Sequence, residues 1–183
     1  NYPMISKFKE NLKKFFQFLV FMLFGVVILI SLLSSSPNDN TFFKFDSTSY
    51  NSGNILGYFG SILSEFLIKL FGIVSYFFSI FLFANAYRVL RGNIIPWYSW
   101  TFFPFSVITL SFLLNYFSYK FPYFHSTTGI LGSGLNFYFD YFFKDYERIE
   151  LIIIGICCFL FFSLLLTFSF GYKDIKNILL FTI

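Results

Sequence analysis

The hydrophobic pattern of this chain consists of four long stretches without charged residues, separated by shorter polar segments. The uncharged stretches cover residues 15–33, 70–87, 92–119 and 151–172. A transmembrane helix needs roughly 20 predominantly apolar residues, because each residue adds about 1.5 Å to a path through about 30 Å of hydrocarbon. The pattern therefore predicts an all-α polytopic membrane protein with short interfacial helices in its outer loops. Its four transmembrane helices are predicted at about residues 15–33, 66–87, 101–119 and 151–171.

The composition agrees with this fold class. Hydrophobic residues make up 57% of the chain and charged residues 12%, about half the charged share of a soluble domain. A soluble protein of this apolarity would expose large hydrophobic patches to water. The 33 phenylalanines fit positions where any apolar residue satisfies lipid, so no aromatic cluster is interpreted as a ligand site.

The distribution of basic residues predicts the orientation. Lys and Arg near the ends of transmembrane helices favour the cytoplasmic side. One side carries eight of them, namely Lys7, Lys9, Lys13, Lys14, Arg88, Arg91, Lys173 and Lys176. The other side carries five, namely Lys44, Lys69, Lys120, Lys144 and Arg148. Both termini are therefore predicted to be cytoplasmic, with residues 1–14 as a basic N-terminal segment and residues 173–183 as the start of a linker.

The first uncharged stretch could also be a cleaved signal peptide, because the small residues Ser34, Ser35 and Ser36 follow it. Its 19 uncharged residues exceed the usual apolar region of such a signal, and this favours a transmembrane helix.

Small residues in the first outer segment are candidates for helix packing. After Asn54 a helical pattern places Gly57, Gly60 and Ser61 along one side. Small residues at such spacing allow close approach of helices in lipid, where packing replaces the hydrophobic drive. The alternative is that they merely line a short interfacial helix.

The second outer segment, residues 120–150, contains two further packing candidates, Gly129 and Gly132. Glycines at this spacing permit a tight turn or close backbone packing. The apolar tract at 135–143 is too short to span a membrane, so we expect an interfacial or re-entrant helix there. A re-entrant helix would have to be covered by protein.

Two further features concern the membrane boundary. Glu65 and Lys69 are four residues apart, which places them on one helix face as an interfacial ion pair; an ion or proton site is the functional alternative. Trp97 and Trp100 fit an interfacial aromatic belt. The third transmembrane helix is then expected to begin near Thr101, with Pro104 in its first turn.

Residues for other chemistry are sparse. His125 is the only histidine, and Cys157 and Cys158 are adjacent within an apolar stretch. No metal, cofactor or catalytic site is predicted, and the protein is not expected to be an enzyme. The four predicted helices carry no charged residue near their centres, which argues against ion-coupled transport.

Several motifs, taken in order, resemble one protein family. Segment 32–39 reads Leu-Leu-Ser-Ser-Ser-Pro-Asn-Asp, segment 54–61 reads Asn-Ile-Leu-Gly-Tyr-Phe-Gly-Ser, and segment 71–76 reads Phe-Gly-Ile-Val-Ser-Tyr. Together with Arg-Val-Leu-Arg-Gly at 88–92 and Thr-Gly-Ile-Leu-Gly at 128–132, they are similar to the N-terminal four-helix membrane domain of FtsK/SpoIIIE-type DNA translocases. The resemblance extends from about Phe15 to Tyr172. It adds Gly72 and Ser75 to the packing candidates, although Ser61 and Ser75 replace the family's usual alanine.

The resemblance implies a membrane anchor for a hexameric, ATP-driven DNA motor at the division septum of the bacterial inner membrane. Expected partners are the lipid bilayer, other copies of the chain, other cell-division proteins, and DNA only through a motor domain. The motor's Gly-x-x-x-x-Gly-Lys-Ser/Thr motif does not occur in these 183 residues. The chain is therefore interpreted as a fragment or the product of a truncated gene. A small transporter or channel subunit is the alternative, and a membrane-embedded enzyme ranks last.

Overall fold

A computed structural model describes residues 2–36, 53–120, 129–143 and 149–168, and these residues are helical with no β-strand among them. The α-helices are α1 (Tyr2–Leu33), α2 (Gly57–Phe71), α3 (Tyr76–Leu90), α4 (Trp97–Lys120), α5 (Ile130–Phe143) and α6 (Ile149–Thr167). A 3₁₀ helix, Gly72–Ser75, joins α2 to α3. Four helical segments are long and apolar enough to span a membrane, namely Phe8–Leu33, Gly57–Leu90, Trp97–Ser118 and Ile149–Thr167. The predicted fold class is therefore confirmed.

Some expectations concern positions outside the described residues. They include most of the turn-rich segment after α1, the loop with His125, and the proposed linker from residue 173 onward with Lys173 and Lys176. The loop residues Lys44, Lys144 and Arg148 also lie outside them.

Helices α1 and α3 pack as an antiparallel pair. Gly25 of α1 faces Phe83 of α3, and a Cβ atom at Gly25 would lie 2.7 Å from the Phe83 ring. Nearer the end of α1, the Tyr76 hydroxyl lies 3.4 Å from the Leu32 carbonyl oxygen. Helix α1 begins at Tyr2, so the basic N-terminal segment is itself part of this helix.

Helix α4 packs on α5 and α6 and also contacts α3 through aromatic rings. Phe103 stacks on Phe81 with ring centroids 4.1 Å apart, and Trp100 meets the Phe81 ring edge-on at 5.1 Å. Phe81 is 2% exposed, so this contact lies in the core. The Trp100 ring centroid also lies 6.0 Å from that of Phe21 of α1, so the indole contacts rings of two helices while the residue stays 46% exposed.

Helix α4 begins earlier than the sequence analysis expected. It starts at Trp97 rather than near Thr101, so Pro104 lies inside the helix instead of in its first turn. A proline there has no N–H to donate to the carbonyl of Trp100 four residues earlier. The sequence analysis placed Pro104 in the first turn, and this expectation is wrong because packing on three neighbouring elements outweighs the loss of one main-chain hydrogen bond.

Candidate functional site: helix-packing contacts

The C-terminal end of α1 is closed by polar groups from the following segments. The last four carbonyls of a helix have no partner within it. The Ile30 carbonyl accepts bonds from both the main-chain N–H and the hydroxyl of Ser34, at 3.0 and 2.6 Å. The Leu32 carbonyl accepts the Ser35 hydroxyl at 2.9 Å as well as the more distant Tyr76 hydroxyl. Ser34 and Ser35, which follow the first apolar stretch, therefore cap the C-terminal end of α1.

The remaining inner carbonyl of this end, that of Ser31, is bound by Asn54. The Asn54 side-chain amide donates to the Ser31 carbonyl oxygen at 2.9 Å, and Asn54 is 4% exposed. Its amide oxygen accepts the Leu56 N–H at 3.1 Å, a local turn typical of asparagine. Ser31 in turn donates its hydroxyl to the Gly60 carbonyl at 2.6 Å. Two hydrogen bonds thus join Ser31 at the end of α1 to Asn54 and Gly60 at the start of α2.

The two glycines of this corner have different roles. Gly60 faces the Asn54 amide so closely that a Cβ atom would collide with its side-chain oxygen. Gly57 has a φ of +64° and open space where a Cβ would be, so its role is conformational and it makes no close packing contact within the described residues. Ser61 is buried, and its hydroxyl donates back to the Gly57 carbonyl at 3.2 Å. The buried face of α2 consists of Gly60, Ser61, Ser64 and Leu67.

Gly72 and Ser75 lie in the 3₁₀ turn between α2 and α3. Gly72 is buried with φ +61° and ψ −136°, a conformation that favours glycine, and its N–H donates to the Ile68 carbonyl. It changes the direction of the chain between α2 and α3. The sequence analysis had instead predicted one transmembrane helix at about 66–87, preceded by a short interfacial helix. Ser75 is fully buried, and its hydroxyl has no hydrogen-bond partner among the described residues.

The other two glycine candidates dock α5 onto its neighbours. Gly129 precedes α5 and touches the end of α2, where a Cβ atom would collide with the Leu70 carbonyl. Gly132 lies in α5 against α4, where a Cβ atom would lie 2.6 Å from the Ser111 main-chain oxygen. One turn further along α5, the buried Asn136 amide donates to the Asn115 side-chain oxygen at 2.6 Å. Helix α5 is therefore covered by protein on this face.

A line of hydroxyl groups joins α4 to α6. Ser106 Oγ lies 3.1 Å from Ser163 Oγ and 2.9 Å from Thr167 Oγ1. The Ser99 hydroxyl donates to the carbonyl of Thr167, the last residue of α6. All four residues are fully buried. We call these four residues the hydroxyl seam.

The ionic candidates lie on α2. Lys69 Nζ is 2.6 Å from Glu65 Oε1, and the Glu65 side chain is 13% exposed against 42% for Lys69. The carboxylate is thus enclosed by protein while the ammonium group reaches outward, as expected for a snorkelling lysine. The depth of this pair in a membrane stays a prediction.

The structure brings together Gly60, Gly129 and Gly132 with main-chain or side-chain oxygens of neighbouring elements. The sequence analysis missed the partners of these glycines, Asn54 and Ser111, and it missed the hydroxyl seam. A signal existed for the seam: Ser99 and Ser106 are seven residues apart and Ser163 and Thr167 four apart, spacings that place hydroxyls on one helix face. Within the described residues, no group of three or more His, Cys, Asp or Glu side chains could hold a metal ion.

Residues 10–173 match a protein family described as the 4TM region of DNA translocase FtsK/SpoIIIE. The match covers most of the chain and includes all the motifs on which the resemblance was based. Neither the comparison with curated proteins nor that with solved structures gives a match.

Proposed function

The chain belongs to the family of FtsK/SpoIIIE membrane regions, and from this membership we propose that it anchors a septal DNA translocase in the bacterial inner membrane. The observation that carries the proposal is the family match over residues 10–173. The ATP-driven motor would lie outside these 183 residues and would act on DNA in cell division and chromosome segregation. The chain itself would contribute position and support rather than catalysis.

The pattern of contacts supports an anchoring role. The buried hydroxyls of the hydroxyl seam bond to partners on the neighbouring helix, and Asn54 and Ser31 close the α1–α2 corner. Interhelical hydrogen bonds and close glycine contacts of this kind stabilise a helix bundle in lipid. A helix bundle stabilised in this way suits a domain that holds a motor at a fixed place on the membrane.

The distribution of charge supports an orientation with both termini in the cytoplasm. Lys14 of α1 and Arg91 after α3 line one shared cavity, so basic residues from separate parts of the chain meet at one end of the bundle. Basic residues mark the cytoplasmic side. A reporter enzyme that is active only in the cytoplasm, fused after Ile183, should be active. The same reporter should be inactive when inserted after Asn51, and the reverse pattern would contradict this orientation.

We also propose that copies of the chain associate, with a hexamer as the family-based expectation, and contact other cell-division proteins. The sequence analysis named Gly57 and Gly60 among the candidates for helix packing, which could act within one copy or between copies. Because Gly60, Gly129 and Gly132 face this chain's own residues, they support folding of the monomer more directly than association. Phe161 and Phe162 of α6 are exposed and therefore available to a second copy.

The experiment that tests the anchor is the position of the chain in dividing cells. A fluorescent fusion of the chain should concentrate at the division septum, whereas an unrelated four-helix membrane protein of similar size should label the whole envelope. Uniform labelling by both would contradict the septal role. A second experiment tests the transporter or channel alternative with the purified chain in liposomes. Substrate-dependent flux through vesicles that contain this chain alone would favour that alternative.

A further inference from the structure

A cavity of about 370 Å³ lies between the first half of α1 and the turn that ends α3. Its lining has two chemical parts. The polar part consists of Asn11, Lys14 and Arg91, and the apolar part includes Phe15, Phe18 and Leu90. A site with these two parts suits a ligand that is itself both charged and apolar.

The cavity lies where the uncharged stretches begin. Lys14 is the last charged residue before the stretch at 15–33, and Arg91 is the last before the stretch at 92–119. The polar lining therefore lies at the level where lipid headgroups meet water, and the aromatic lining continues toward the hydrocarbon. This placement holds whichever side of the membrane this end of the bundle faces.

Positive charge dominates the rim of the cavity. Arg91 is exposed, and its guanidinium carbon lies 4.7 Å from the centre of the Tyr87 ring, which positions the group while its in-plane N–H donors can still bind an anion. Lys14 is paired with Glu10 at 2.6 Å, so this acid offsets one of the two lining cations.

We propose that this cavity binds the phosphate headgroup of an anionic phospholipid, with the glycerol and first acyl carbons against Phe15 and Phe18. Basic pockets between transmembrane helices bind anionic headgroups because guanidinium and ammonium groups form charge-assisted hydrogen bonds with phosphate oxygens. A soluble phosphate would leave the apolar lining unused. A zwitterionic lipid would bring its own cation close to Arg91 and Lys14.

The test is native mass spectrometry of the 183-residue chain in neutral detergent, titrated with dioleoylphosphatidylglycerol or dioleoylphosphatidylcholine. The two lipids share their phosphate and acyl chains and differ in headgroup charge. We expect phosphatidylglycerol to bind at least about tenfold more tightly, and the double variant Lys14→Gln, Arg91→Gln to lose about tenfold or more of that affinity. Equal binding of the two lipids would overturn the proposal.

The matched control is the double variant Lys9→Gln, Lys13→Gln, which removes two exposed charges from the same helix outside the cavity. It should keep phosphatidylglycerol binding close to that of the unmodified chain; an equal loss would mean diffuse attraction and no site. Arg91→Lys retains the charge but not the planar donors, so it should lose less affinity than Arg91→Gln, which separates charge loss from misfolding. Competition by glycerol 3-phosphate at the same concentration would assign the cavity to a soluble anion and overturn the lipid assignment.

Discussion

The side-chain amide of Asn54 donates a hydrogen bond of 2.9 Å to the main-chain carbonyl of Ser31, a residue 23 positions earlier in the chain. This carbonyl belongs to the last turn of α1 and would otherwise have no donor. The Ser31 hydroxyl in turn donates a hydrogen bond of 2.6 Å to the Gly60 carbonyl. One asparagine and one serine therefore set the position at which α2 leaves α1.

Replacing Asn54 with Ala should destabilise the bundle by about 1–3 kcal/mol. The change leaves a buried carbonyl without its donor, and a buried unsatisfied polar group costs about this much. The measurement is the free energy of unfolding in lipid bicelles. The matched control is Asn93→Ala, because Asn93 is exposed in the turn between α3 and α4 and should lie within about 0.5 kcal/mol of the unmodified chain. Equal stability of the two variants would refute the role assigned to Asn54.

Gly60→Ala should be strongly destabilising for a different reason. A Cβ atom at residue 60 would collide with the Asn54 side-chain oxygen and force the amide away from α1. Gly155→Ala is the matched control, since Gly155 is also helical but has open space at its Cβ position. Alanine favours helix over glycine by roughly 1 kcal/mol, so this control should be neutral or stabilising. Gly60→Ala should therefore lower the unfolding temperature, whereas Gly155→Ala should leave it unchanged or raise it. Equal unfolding temperatures of the two variants would contradict the packing role of Gly60.

The architecture could be predicted from the sequence because a membrane-spanning helix is recognised by its length and its lack of charged residues. The uncharged stretches predicted four spanning segments, and the motif order predicted the family match over residues 10–173. Helix boundaries were less accessible from the sequence. The uncharged stretch at 70–87 runs through Gly72 without interruption, so its pattern cannot show that α2 and α3 are separated there.

The contacts themselves were only half predictable. Glycine spacing predicted close packing. Gly129 and Gly132 lie against main-chain oxygens of other helices, whereas Gly60 lies against the Asn54 side chain. The same reasoning could not separate Gly57, whose positive φ rather than a neighbour requires glycine. It also could not name the opposing groups, since Ser111 belongs to another helix and glycine spacing does not show the turn that brings Asn54 against Gly60.

Gly132→Ala should loosen α5 from α4. Its Cβ atom would lie 2.6 Å from the Ser111 carbonyl oxygen, which belongs to the backbone and cannot rotate away. Because the Asn136–Asn115 bond is only one turn further along, it should weaken as well. Hydrogen–deuterium exchange should then be faster across residues 130–143. Gly134→Ala in the same helix meets nothing within 4 Å and should leave exchange unchanged or slower. Unchanged exchange in Gly132→Ala would show that α5 does not depend on this contact.

The hydroxyl seam should show measurable coupling between α4 and α6. Ser106 and Ser163 place their hydroxyl oxygens 3.1 Å apart, and both side chains are fully buried. A double-mutant cycle of Ser106→Ala and Ser163→Ala, measured by reversible unfolding in mixed micelles, should give a coupling energy of about 0.6 kcal/mol and at most about 1.7 kcal/mol. The parallel cycle pairs Ser163→Ala with Thr101→Ala, because the exposed Thr101 hydroxyl donates to its own helix at the Trp97 carbonyl. That cycle should be additive within about 0.5 kcal/mol. Additivity in both cycles would mean that the seam is held by side-chain packing and not by hydrogen bonds between the helices.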